Sequence, residues 1–504
     1  MTTKVVKGSL WTLAGQVAPL AVSLFATPFV IRMLGTDGYG VLILVALIPT
    51  YLGFADFGMA MASTKFGSQV YGQGLSPEKE GAVIRTAAFI AFLTSVPFGF
   101  AIFIVSDWIV GIFNVPDHLH AEAGLALKIA AVTFIVNFLN NIFNAPQLAR
   151  LRMDLNTLVT SGFRILGIIA TPIVLYLDGG IFGAVLVLMI ASLLTLAGHI
   201  FISGKLLPSM FGVTIDMQSV RPMLKFGGAF AMSGIAAALF VNAEKLILTR
   251  VTSVETLAYY SVAFTFANMA TMFSLAMGQS LLPAFSQLFL PEKKEQLNGL
   301  FSRAMRINIF ALLPVLAVLC VIGRPFFTIW AGEDFGREST WPFYVLVIGL
   351  FFNLSAYVPT ALMYAAGRTE LIAKMYWIQL LPYLGVTTLL TIQLGAVGAA
   401  IAWSLRVIID VFIYIHLVRS IVGVRFAVVK QLPNLLVGLL ILSPAIGFAV
   451  FRNECLIWHA VVMVFCLALY GLTLWKTLID ADEKIWISTR LNNFWRLHYP
   501  NRFQ

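Results

Sequence analysis

Apolar stretches of about twenty residues recur from one end of this chain to the other, each long enough to cross roughly 30 Å of hydrocarbon as a helix. That recurrence restricts the fold more than any motif does. Of 504 residues, 60% are hydrophobic and only 11% are charged, against about 25% charged in an ordinary soluble domain. No soluble core has room for that surplus. Barrel strands would alternate over about ten residues, and these stretches do not. The expectation is an all-α integral membrane protein with about 14 transmembrane helices. The first stretch, preceded by Lys4 and Lys7, is too long for a signal-peptide h-region and lacks a small-residue cleavage site. It is read as a helix of the mature chain.

Charge sets the expected orientation. With the N-terminus inside, 24 of the 33 Lys and Arg residues fall in cytoplasmic segments, and only Arg32, Arg250, Arg324, Arg337 and Arg452 fall on the opposite side. The net charge of +10 is then mainly a positive-inside bias and not a nucleic-acid footprint. Both termini are expected in the cytoplasm. Cys320, Cys455 and Cys466 show no metal-binding spacing.

The chain also repeats itself. VPFGFAIFIVSDWIVGIF (96–113) aligns without gaps on LPVLAVLCVIGRPFFTIW (313–330), an offset of 217, and GIFGAVL (180–186) matches GAVGAAI (395–401). Six spans per copy is an even number, so both copies enter the membrane from the same side. A pseudo-twofold axis along the membrane normal is expected. Residues 1–203 form a first six-helix bundle, 204–225 a cytoplasmic linker and 226–418 a second six-helix bundle. Two further spans occupy 433–477, and 478–504 is a basic tail whose stretch KIWISTRLNNFW reads as a surface-lying amphipathic helix.

The 6+6+2 arrangement, the Tyr39-Gly40 dipeptide opening the second span, Asp56-Phe57-Gly58, and Glu244-Lys-Leu-Ile-Leu in span seven together resemble one family. It is the polysaccharide-transporter branch of the multidrug/oligosaccharidyl-lipid/polysaccharide exporter superfamily, which includes the O-antigen (Wzx-like) and lipid II flippases. The resemblance implies two bundles around a central cavity. It also implies a polyprenyl-diphosphate-linked oligosaccharide as substrate, turned from the cytoplasmic to the outer leaflet by alternating access, without enzymatic chemistry. The pattern expected at position 244 has Asp where this chain has Glu. No ATP-binding motif occurs, and no cofactor is expected beyond a coupling proton or Na⁺. Expected partners are the lipid-linked glycan, membrane lipids and polysaccharide polymerase machinery, with no nucleic acid. The setting is a bacterial or archaeal cytoplasmic (inner) membrane.

Four cations fall within the apolar spans: Lys128, Arg164, Lys245 and Arg406. Each costs about 2.5–3.5 kcal/mol at a helix centre, so lipid-facing positions are unfavourable. A diphosphate matches guanidinium groups in bidentate fashion, and these four are the candidate substrate-binding cations. Bland readings stand beside them. Arg406 and Asp410 lie four apart and can neutralise each other, Lys128 can snorkel to the outer interface, and Lys245 adjoins Glu244. Arg164 has no acid three or four positions away.

Asp56, Glu244 and Asp410 are candidate gate or ion-coupling acids. By the repeat offset Asp56 corresponds to Ala276 and Glu244 to Ala26, so structure common to both halves does not explain either acid. For Asp56 three roles stand open: an ion pair across the cytoplasmic gate, a coupling-ion site, or a hydrogen bond to a helix terminus or to Ser63 or Thr64. Asp117, His118, His120 and Glu122 cluster in one short segment, which reads as a solvated outer loop and not as a metal site. Two other function classes compete. A cation-coupled drug exporter of the same superfamily would favour an acidic cavity, and a membrane glycosyltransferase or polymerase would need catalytic acids in a sizeable outer loop.

Topology is directly testable. Reporter fusions after Arg425 and Phe503 should read cytoplasmic, and fusions near Asp117 and Glu333 should read outside. A cytoplasmic reading at Asp117 would contradict the charge assignment.

Overall fold

The structure, a computed structural model, describes residues 2–271, 274, 281, 285, 288, 291–424, 428–451 and 456–477. The expected amphipathic tail at 484–495 lies outside the described residues. Every described element is helical. Hydrocarbon offers the backbone no hydrogen-bonding partner, so a helix that satisfies itself is the natural unit. Ten described helical stretches are long and apolar enough to span a membrane, and two of them contain a glycine kink that divides one element into two arms. The chain is an all-α, multi-pass membrane protein.

Helix α1 (Thr2–Tyr51) bends at Gly35, whose φ of 71° suits glycine. Its second arm begins the second span, which then breaks: residues 52–58 form turns before α2 (Met59–Gly72) resumes. There follow α3 (Pro77–Ile112), α4 (Asp117–Phe143), the short α5 (Ala145–Ala149), α6 (Met153–Tyr176) and α7 (Gly180–Leu206). After a 3₁₀ turn at Pro208–Phe211 come α8 (Met217–Val251) and α9 (Val254–Asn268). Then come α10 (Lys294–Ala331), α11 (Glu333–Glu338), α12 (Thr340–Ser355) and α13 (Tyr357–Ala365). Helix α14 (Thr369–Leu417) bends at Gly395, and α15 (Val428–Phe451) and α16 (Leu456–Thr477) close the described chain.

Spatial proximity groups these elements into two compact units, Met1–Val262 with Glu370–Ala399, and Ala263–Thr369 with Ala400–Gln504. This division differs from the repeat boundary at 204–225, because α8 and the first arm of α14 lie with the first unit. In that unit α3 packs on α4, α4 and α6 on α7, and α1 on α6. Val41, Leu44, Val45, Leu127, Ala130, Ile181 and Val185 form a continuous apolar core there. In the second unit α15 and α16 pack on α10 through Phe310, Leu313, Leu442, Ala445 and Tyr470. The Tyr470 hydroxyl also donates to the Phe310 carbonyl at 2.7 Å.

The connection between α7 and α8 is fastened to the start of α3. Ser209 Oγ donates to the Pro77 carbonyl at 2.6 Å, and Arg85 Nε and Nη2 donate to the carbonyl and hydroxyl of Thr214 at 2.9 and 2.7 Å. The Asp216 amide donates to Thr86 Oγ1 at 2.9 Å, while Asp216 itself caps α8 through Gln218 N.

The break in the second span explains two of the sequence signatures. Asp56 is buried, and its carboxylate accepts from the amides of Gly58 (2.8 Å) and Ala60 (3.0 Å). It therefore caps the N-terminus of α2, where unpaired N–H groups and the helix dipole both favour a negative group. Gly58 sits in the left-handed region (φ 68°), and a Cβ there would strike the backbone of Gly227 on α8. A Cβ on Gly40 would likewise strike the Val254 carbonyl. Both glycines permit close backbone approach.

The capping role has a measurable signature. Asp56→Ala leaves two buried amides without an acceptor and should lower stability by about 1–3 kcal/mol. Asp56→Asn retains one acceptor oxygen and should cost less. Thermal unfolding of the detergent-solubilised protein reads the difference, and equal losses for the two variants would contradict the cap.

Candidate functional site

Three helices of the first unit each turn a polar stripe toward one cavity of about 600 Å³. On α4 the stripe is Thr133, Asn137 and Asn141 at four-residue spacing, with Asn140 beside it. On α6 it is Thr160 and Arg164, and on α7 it is Ser192, Thr195 and His199. Such spacings keep side chains on one helix face. The second arm of α1, from Leu42 to Thr50, together with Phe134 and Phe138, supplies the apolar wall. The two phenyl rings meet edge to face at 4.7 Å.

Arg164 is exposed and is the one charged side chain among the lining residues, apart from the titratable His199. The other polar groups are neutral amides and hydroxyls. Asn140 Nδ2 donates to the Ser192 carbonyl at 3.2 Å and lies 3.3 Å from Asn137 Oδ1. Chemically this is a mixed donor and acceptor surface with one cation, suited to a ligand that carries hydroxyls and an anionic group.

At one side of the cavity lies a continuous hydrogen-bond chain. His199 Nε2 is 3.1 Å from Thr160 Oγ1, and His199 Nδ1 is 3.1 Å from Gln147 Nε2 on α5. Gln147 Nε2 is also 3.0 Å from Ser203 Oγ, and the Ser203 hydroxyl donates to the Phe143 carbonyl at 2.6 Å. Gln147 and Ser203 are fully buried, and His199 is 1% exposed.

The candidates named from sequence do not all converge. Arg164 lines the cavity. Lys128 instead pairs with Asp107 on α3 at 3.0 Å. Lys245 donates to Asn242 Oδ1 at 3.0 Å. Glu244 is fully buried and accepts from the Tyr383 hydroxyl at 3.0 Å, and the Tyr383 ring stacks on Phe240. Arg406 and the buried Asp410 share the second arm of α14, in the other unit. Of the roles open to Asp56, the structure contains the hydrogen bonds to a helix terminus, and among the described residues no cation lies within ion-pair distance of it.

The expected outer loop at 115–122 is largely helical, because α4 begins at Asp117. His120 contacts the Val115 carbonyl at 2.8 Å, and Glu122 accepts from the Phe182 amide at 3.2 Å. These side chains are directed to separate partners, and among the described residues no group of three or more metal-ligating side chains gathers.

Sequence reasoning passed over His199, Gln147, Asn137, Asn140 and Asn141. A signal was present: the same helical period that marks apolar faces also runs through Thr133, Asn137 and Asn141, and through Ser192, Thr195 and His199.

Comparison with known proteins agrees with this architecture. The family model described as "Polysaccharide biosynthesis protein" matches residues 5–289, more than half the chain. A protein named as a candidate O-antigen transporter from Shigella flexneri is 23% identical over 81% of this chain and 96% of its own length. Among solved structures, a lipid II flippase (MurJ) in an inward closed conformation superimposes with a TM-score of 0.70, at 15% identity, over 94% of this chain and all of that one. An inward-facing multidrug resistance transporter of the MATE family gives 0.64 at 13% identity, over 78% of this chain and 92% of that chain. These two likenesses show a shared fold. By its sequence match the chain belongs to the polysaccharide biosynthesis protein family, built on a multi-pass helical fold.

Proposed function

We propose that this protein is a flippase that carries a polyprenyl-diphosphate-linked oligosaccharide from the cytoplasmic to the outer leaflet by alternating access of its two repeats. It works in a bacterial or archaeal cytoplasmic membrane, with both termini in the cytoplasm. The observation that carries this reading is the character of the cavity: one guanidinium, Arg164, among neutral amides and hydroxyls. Arg164 is assigned to the diphosphate, for which a guanidinium offers paired donors. The amides and hydroxyls are assigned to the sugars, while the lipid tail stays in the bilayer. A drug exporter selecting cations would place a carboxylate here, and the lining contains none. Family membership and the O-antigen transporter relative support the same substrate class. Glu244, held by Tyr383, and Asp410 remain the candidate coupling or gating acids, and Lys245 and Arg406 candidate cations of the transport path.

Arg164→Ala should abolish surface export of the glycan and cause its lipid-linked precursor to accumulate, with the protein still folded in the membrane. Arg164→Lys should restore export only in part, because an ammonium lacks the paired donors. Normal export by Arg164→Ala at wild-type protein levels would overturn the assignment.

A further inference from the structure

We propose that His199 is a proton site linked to anion binding: when an anionic headgroup settles beside Arg164, the imidazole takes up one proton. The proposal rests on the function assigned above to the cavity.

The hydrogen-bond chain determines the state of the ring. The Ser203 hydroxyl has one proton and donates it to the Phe143 carbonyl at 2.6 Å. Toward Gln147 it can only accept, so the amide nitrogen of Gln147 must face it. That same nitrogen lies 3.1 Å from His199 Nδ1, which must therefore accept as well. With Nδ1 accepting, His199 is neutral, and its single ring proton sits on Nε2, donated to Thr160 Oγ1. Gln147 Oε1, meanwhile, is buried with no hydrogen-bond partner among the described residues. A half-turn of the amide would bring this oxygen to Nδ1, where it can accept a second ring proton, and the Ser203 hydroxyl would then turn its own proton from the Phe143 carbonyl to the same oxygen. The chain can thus serve the imidazolium by giving up one hydrogen bond, that of the Phe143 carbonyl.

Charge explains when that happens. Thr160, which meets His199 Nε2, and Arg164 are one turn apart on α6, and Arg164 and His199 line the same cavity. An anion placed beside the ring favours a positive charge on it. The surroundings supply no competing anion within the cavity. Helix α4 presents neutral Asn140 and Asn141, and the α1 arm presents apolar groups and Thr50. Beyond Gln147 at the end of α5, Arg150 is already paired with Glu80 at 2.7 Å. On α7 itself, Lys205 lies exposed past Ser203. A purely structural buried histidine would satisfy the same hydrogen bonds but would show no linkage to ligand.

The test uses the purified full-length protein in lipid nanodiscs and a short-chain prenyl-diphosphate-linked N-acetylglucosamine, whose diphosphate diester does not titrate near neutral pH. Affinity should rise as pH falls across the histidine range, by up to about tenfold per pH unit for one linked proton. Calorimetry in buffers of different ionisation enthalpy should show proton uptake on binding. His199→Gln, which keeps side-chain donors and acceptors but cannot titrate, should lose both the slope and the uptake. A flat wild-type profile without proton uptake, or a His199→Gln slope equal to wild type, overturns the proposal. If the wild type binds the probe at no pH, the flippase assignment of the cavity falls, and the proton site with it.

Discussion

Every backbone donor and acceptor that a helix leaves free inside hydrocarbon must find a partner within the protein, at a cost of several kcal/mol if it does not. Polar side chains buried in this molecule meet that demand where helices break. Asp56 receives the amides at the start of α2. Ser203 satisfies the Phe143 carbonyl at the end of α4. Asn308 donates to the Leu354 carbonyl at the end of α12, at 2.9 Å. Within residues 52–58, short-range bonds such as Ala55 N to the Leu52 carbonyl (2.8 Å) and Phe57 N to the Phe54 carbonyl (2.9 Å) supply the rest. Groups that look anomalous in an apolar sequence are therefore part of what makes an interrupted helix tolerable.

The interruptions also shape the cavity. The α1 arm that lines it ends just before the 52–58 break, and the α4 face that lines it ends at the Asn144 break, beyond which α5 delivers Gln147. A continuous helix through Phe143 would carry Gln147 onward along the α4 axis. The short α5 sets it against His199 instead.

The sequence made the spans legible because hydropathy is a one-dimensional property: a stretch is long and apolar whatever its neighbours are. Arg164 was legible for a similar reason, since no acid lies within helical reach of it. Partners distant along the chain were not. Lys128 meets Asp107 from a different helix, and Glu244 meets Tyr383 across 139 residues. Asp56 shows a third case. Its acceptor role involves amides only two and four residues away, so the information was local, yet a long-range ion pair fitted the same letters. The break in the helix, which composition alone did not reveal, is what leaves those amides free for the carboxylate. His199 escaped notice because a lone histidine among apolar residues is ordinary until its neighbours are known.

The fastening of the α7–α8 connection to α3 bears on how the chain withstands proteases. An exposed connection between helices is the usual place for a nick, because cleavage requires the backbone to leave the surface and extend into an enzyme cleft. Here Arg85 and Thr86 hold Thr214 and Asp216 by backbone and side chain, and Ser209 is tied to Pro77. Extending the segment means first breaking these bonds together. The α7–α8 connection is thus protected by local stability, not by inaccessibility, and its resistance lasts as long as Arg85, Thr86 and Ser209 keep their hold.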